Sequence, residues 1–144
     1  MNLFTDYHNK ISDSLKFLAK STELILPNDL KHLTIELPPK NQKADISCNA
    51  ALILSKSNNT SPLKLAEVLK KHLLLNFKEF KSINIAKPAF LNISFNIDFW
   101  EKHLSKIILS KSNYGSDKIN KKKYNIEFVS ANPTGPLHVG HCRG

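Results

Sequence analysis

Two cysteines in 144 residues, Cys48 and Cys142, are too few and too far apart to build a disulfide framework, so the chain is not one of the small secreted domains that depend on one. Reduced thiols are the expected state. Long apolar runs are missing as well: no stretch approaches the ~20 residues that a membrane-spanning helix requires. The opening MNLFTDYHNK has neither an apolar core region nor a small-residue cleavage site. The expectation is a cytoplasmic protein without a membrane partner. Arginine is almost absent. Arg143 is the single one among 21 basic residues, so lysine carries the net charge of +9. Lysine lacks the planar fork that grips phosphates or base edges at two points. The accompanying wealth of Asn and Ile is what AT-rich codons produce. The charge therefore permits an RNA partner without requiring one. Internal repeats are also lacking.

What is present is an ordinary globular composition, 41% hydrophobic, at a length suited to one domain and a short appendage. Phe4, Tyr7, Ile11, Leu15 and Leu18 recur at helical spacing and predict an amphipathic helix from Leu3 to Lys20. His32 to Leu37 reads as a short strand stopped by Pro38 and Pro39. After the polar stretch Lys40 to Asp45, an Ala/Leu-rich helix is expected from about Ser47 to Ser55. Ser61 and Pro62 are a good helix start, with Leu65, Leu69, Leu73 and Phe77 on the buried face and Lys64, Lys70, Lys71 and Lys78 mostly elsewhere. In Leu91 to Ile97, apolar Leu91, Ile93, Phe95 and Ile97 alternate with Asn92, Ser94 and Asn96, the pattern of a strand with one face on the core. Asp98, with Glu101 three residues on, is expected to cap a helix packed through Trp100, Leu104, Ile107 and Ile108 and ending before Asn113.

Residues 1–115 thus predict an α+β domain, a small antiparallel sheet packed with helices. The polar, basic run 116–123 reads as a linker. From Tyr124 the character changes: a strand-like stretch to Ser130, a tight loop at Asn132, Pro133, Thr134, Gly135 and Pro136, and a helix opened by Leu137 to His141. Strand, loop and helix start form the arrangement in which nucleotide-binding α/β folds present backbone N–H groups to phosphates. His138 and His141, three apart, share a face of the first turn and are able to stabilise charge building on a phosphate. Gly140 leaves room for a flat purine. Three other readings stand beside this one: metal ligation with Cys142, although no second cluster completes a tetrahedral site, incidental surface histidines, and core histidines.

The string Ile126 to Gly144, IEFVSANPTGPLHVGHCRG, resembles the first signature of class I aminoacyl-tRNA synthetases and specifically of the arginyl-tRNA synthetase family, close to VEFVSANPTGPLHVGHARG. His138 to His141 stand at the family's HIGH tetrapeptide. Two upstream segments resemble the family more loosely. Ala44 to Ala51 falls where the family has Gly-Asp and then Thr-Asn-Ala-Ala, and Ala86 to Ile93 falls where it has AGPGFINI, with Lys87 and Ala89 replacing two glycines.

The resemblance implies an arginine–tRNA ligase that activates arginine with ATP, with Mg2+ accompanying the nucleotide and no protein-ligated metal, and then esterifies tRNA(Arg). It implies that residues 124–144 are the first strand and loop of a Rossmann-like class I catalytic domain. His138 and His141 would be catalytic and, with Gly140, bind ATP. Glu127, Ser130, Asn132 and His138 would bind arginine. For Glu127 there is a separate physical case: a guanidinium needs a carboxylate in a dry site, and this is the only acid after Asp117. The alternative is a strand residue facing solvent. The family's N-terminal domain faces the outer corner of the tRNA, which makes Asn92 and Asn96 on the sheet's polar face, or aromatics near Pro88 to Phe90, candidates for RNA contact. Because the chain stops just past the histidines, it is expected to be a piece of the enzyme, inactive alone. The competing expectation is a free-standing tRNA- or RNA-binding module.

Overall fold

The computed structural model describes residues 2–27, 29–116, 123, 125, 126 and 134–136. Glu127, Ser130, Asn132, His138, Gly140 and His141, and with them the expected Rossmann-like strand, lie outside the described residues.

The elements in order are α1 (Leu3–Ser21), β1 (Ile35–Glu36), β2 (Ile46–Cys48), α2 (Ala50–Ser57), α3 (Pro62–Asn76), β3 (Phe80–Ala86), β4 (Phe90–Phe95) and α4 (Ile97–Ser110), followed by a 3-10 turn over Lys111–Asn113. The strands form one antiparallel sheet in the order β1-β2-β4-β3. This is the predicted α+β architecture. Its register sorts the side chains: Ile46, Ile93 and Ile83 form one row across the sheet, and Ile35, Cys48, Leu91 and Ile85 another. Both rows face the core that α1, α2 and α3 cover.

α1 begins where Asn2 accepts hydrogen bonds from the backbone N–H groups of Phe4 and Thr5 at 3.0 and 3.4 Å. Its predicted stripe is buried at Tyr7, Ile11, Leu15 and Leu18. α3 starts at Pro62 as expected, although Ser61 makes no side-chain cap bond. Tyr7 is the anchor at the end of the sheet, within 6 Å of the Phe80, Phe95 and Phe99 rings. Its hydroxyl donates to Glu79 at 3.0 Å, and Lys10 reaches the same carboxylate at 3.4 Å. Burial, aided by the neighbouring Glu79, raises the Tyr7 hydroxyl above its ordinary range. Burial alone would raise Glu79 too, but its own backbone N–H, the Tyr7 hydroxyl and the Lys10 ammonium outweigh it and hold the carboxyl low.

Several expectations need correction, among them the packing of α4, which leaves Leu104 and Ile108 exposed and contacts the sheet end through Phe99 and Trp100 instead. The strand expected over 32–37 shrinks to Ile35–Glu36, because Asn49 occupies the backbone before it, accepting from Thr34 N at 2.8 Å and donating to His32 O at 2.9 Å. Ser47 and Cys48 are strand, not helix: β2 pairs with β4, and α2 starts only at Ala50. β3 was not anticipated. Finally, Asn96 rather than Asp98 caps α4, accepting from Phe99 N at 2.9 Å, while β4 ends at Phe95, two residues before the expected Ile97.

Candidate nucleic-acid interface

The face of the sheet turned away from the core is built by the residues between those two apolar rows. Glu36 pairs with Ser47, Ser47 with Asn92, and Asn92 with Asn84, so four strands contribute one polar row. A sheet face of this composition would ordinarily stand in water. Here its centre does not: Asn92 is 2% exposed, and Ser47 is buried beside it.

The cover comes from the turn after β1 and from the β3–β4 hairpin. Leu37, Pro39 and Gln42 approach from one side, Ala86, Lys87 and Phe90 from the other, and together with Glu36, Ser47 and Asn92 they line a concavity of about 360 Å³. Two hydrogen bonds brace the floor: Asp45 accepts from Phe95 N at 2.7 Å, and its own N–H donates to Ile93 O at 2.9 Å. Gln42 is held through its N–H on Pro39 O at 2.8 Å.

The amide of Asn92 is only half used. Its Nδ2 donates to Gln42 Oε1 over a long 3.4 Å, and its Oδ1, shut off from bulk water, has no hydrogen-bond partner among the described residues. An acceptor left this way costs ~1–3 kcal/mol, which a ligand bearing an N–H would relieve. Phe90 offers a half-buried ring on the same wall, and Lys87 an exposed ammonium at the rim. A flat wall, an unpaired acceptor and a cation near the mouth suit a flat heterocycle attached to a phosphate chain, which is how single-stranded RNA bases are held.

Of the two residues predicted to face RNA, Asn92 therefore sits in the concavity, although buried rather than exposed. Asn96 does not join it. Its Oδ1 caps α4 and its Nδ2 donates to Lys78 O at 3.0 Å, so both ends of the amide are engaged in structure. Gln42, Ser47 and Lys87 were missed as lining residues. The signal for Ser47 was its place in an apolar-polar-apolar triplet, Ile46, Ser47 and Cys48. Among the described residues no group of three His, Cys, Asp or Glu side chains is disposed to hold a metal, and no helix is long and apolar enough to cross a membrane.

The fold and the concavity together define a class: a helix-backed antiparallel sheet domain with a concavity of mixed polar and apolar lining on its open face. Residues 5–95 match the family model described as the arginyl tRNA synthetase N terminal domain. The chain belongs to that family. Over its whole length it is similar to the arginine–tRNA ligases of Pelagibacter ubique, at 45% identity, and of a Ruegeria species, at 41%, and covers 25% of each. The chain thus spans about a quarter of the length of the curated relatives it matches. Its fold is similar to that of the arginyl-tRNA synthetase of Thermus thermophilus, with a TM-score of 0.52 at 23% identity, covering 99% of this chain and 21% of that one.

Proposed function

We propose that this chain is the tRNA-facing N-terminal part of an arginine–tRNA ligase. Residues 1–115 form the tRNA-recognition domain, 116–123 the linker, and 124–144 the beginning of the catalytic domain. The whole enzyme activates arginine with ATP, accompanied by Mg2+, to arginyl-adenylate and transfers the arginyl group to tRNA(Arg) in the cytoplasm. At the family's positions, Glu127 holds the guanidinium of arginine. Ser130, Asn132 and His138 hold its backbone end. His138 and His141 donate to the phosphates of ATP as charge builds on them, and Gly140 lies against the purine. This chemistry is mainly positioning and charge stabilisation, and it needs the rest of the catalytic domain.

Within residues 1–115, the seat between Phe90, Asn92, Gln42 and Lys87 takes an unpaired base from a tRNA loop. Phe90 stacks on the base, Asn92 Oδ1 accepts from one of its N–H groups, and Lys87 meets a neighbouring phosphate. The observation that carries this reading is the buried, unpartnered oxygen of Asn92, a residue that lines the concavity, in a chain of this family. Asn96, whose amide caps α4 and meets Lys78 O, is a second candidate for RNA contact, outside this seat. A free-standing RNA-binding module is the weaker alternative, because relatives that cover the whole chain are ligases about four times as long.

The test is arginine-dependent charging of tRNA(Arg) by a polypeptide that carries residues 1–144 followed by the remaining three quarters of the relatives' length. Charging with arginine, and a raised KM for tRNA with little change in KM for arginine on Phe90→Ala, is the expected result. Absence of arginine acceptance would overturn the enzymatic assignment. An unchanged KM for tRNA would remove the base seat.

A further inference from the structure

Among the described residues, α4 is a long helix that leaves much of its apolar surface open. None of its 14 residues is buried. Yet Ile97, Trp100, Leu104, Ile107 and Ile108 recur at intervals of three and four, the spacing of a continuous helical stripe. Only one edge of the apolar arc is used at home. Phe99 stacks on Phe95 with ring centroids 4.1 Å apart, and Trp100 meets Phe95 edge-on at 5.7 Å. One step further round, Ile97 is 69% exposed, Leu104 56% and Ile108 65%. Lys102 and Lys106 stand exposed elsewhere on the helix.

Resting on the ligase reading above, we propose that this stripe is the seat of the catalytic domain that follows in the same polypeptide. α4 and its 3-10 extension end at Asn113, and only the linker 116–123 separates them from the segment that resembles the start of the catalytic domain. A tether that short holds the following domain at an effective concentration of about millimolar, so a small apolar patch suffices to dock it. A second copy has no such help. It would need an interface of about 800 Å² from each partner, and a 14-residue helix about 21 Å long offers one narrow stripe. Docked there, the catalytic domain fixes the angle at which the Asn92 seat meets the tRNA.

Hydrogen exchange across α4 tests this in the 144-residue chain and in the full-length polypeptide. The amides of residues 100–110 are expected to exchange at least ~10-fold more slowly in the full-length protein. The paired change Leu104→Lys and Ile108→Lys is expected to abolish that difference without moving the melting midpoint of the 144-residue chain. Leu109→Lys, about 100° round the helix from Ile108, is expected to leave the protection in place. Equal exchange in the two proteins would overturn the proposal. So would concentration-dependent protection in the short chain, which would make a second copy the occupant, or a fall in its midpoint, which would return the stripe to the domain's own core. Arginine charging, measured in parallel, separates the two readings. Charging without α4 protection removes only the docking, and α4 protection without charging removes only the ligase assignment.

Discussion

The two faces of the sheet are made by adjacent residues and are nearly equally dry at the centre, yet they differ in chemistry. On the helix side, Ile46, Cys48, Leu91 and Ile93 are fully buried among other apolar side chains. On the other side, Ser47 and Asn92, their immediate neighbours in the chain, are almost as buried but polar, and the Asn92 oxygen is unpaired. Burial on the first face is explained by the hydrophobic effect. Burial on the second is not, because it costs the domain stability. The contrast teaches that the helix face is closed by apolar packing, whereas the open face buries polar groups at a cost, which is where the proposed ligand seat lies.

That contrast can be broken at either face. Cys48 belongs to the core row and is 0% exposed, and burial pushes its thiol up to about 12. In a Cys142→Ser background its alkylation is expected to be suppressed on the order of 1,000-fold or more relative to the unfolded chain, since it must wait for opening of the core. Fast labelling of the native protein would show that the helix face is not closed. Ile93→Ala is expected to cost about 2–5 kcal/mol in denaturant titration, the price of an unfilled core site. A cost below ~1 kcal/mol would erase the distinction between the faces.

On the open face, Phe90→Ala is expected to weaken RNA binding about 5- to 150-fold, from ~1–3 kcal/mol per stacked base, with a smaller stability loss than Ile93→Ala. Equal losses in stability for the two variants would make Phe90 a core residue. The smallest effect is expected at Glu79, at the end of the sheet. Its folded carboxyl titrates below the ordinary glutamate range, so its contribution to stability is present above about pH 4.3 and fades as the pH falls through the lower folded value. Glu79→Gln should therefore lower the melting midpoint slightly at pH 7, with the gap from wild type closing on acidification. A constant gap from pH 7 to pH 3 would show that the Tyr7 and Lys10 contacts are not charge-dependent.

Helical periodicity made the first helix legible almost to the residue, and Ser61 with Pro62 marked the start of α3. Alternation marked β4. The same alternation, Ser82 and Asn84 against Ile83 and Ile85, was available for β3. β2 was hidden because three residues carry no period, and the Ala/Leu-rich run behind it extends a helix pattern backwards; what stops the helix is Asn49, bonded to the 32–34 backbone. Asn96 and Asp98 are both competent caps. The choice fell to Asn96 because the chain leaves β4 there, within reach of Lys78 O. The candidate site was half legible. The pattern put Asn92 on the polar face, but its burial depends on Leu37, Pro39 and Gln42 folding over that face, which no local pattern encodes. The residues of the signature segment, Glu127 to His141, were named by resemblance and lie outside the described residues.

The central claim is that the open face of the sheet is a seat for a base of tRNA, and Asn92→Leu tests it most directly. Leucine keeps the branched four-heavy-atom skeleton of asparagine, although its methyl groups are bulkier, and it removes the unpaired acceptor. In parallel titrations of tRNA(Arg) with the 144-residue chain at fixed salt, the variant is expected to bind about 5- to 100-fold more weakly, while its melting midpoint holds or rises. Unchanged affinity, or a loss of affinity that merely follows a falling midpoint, would contradict the account.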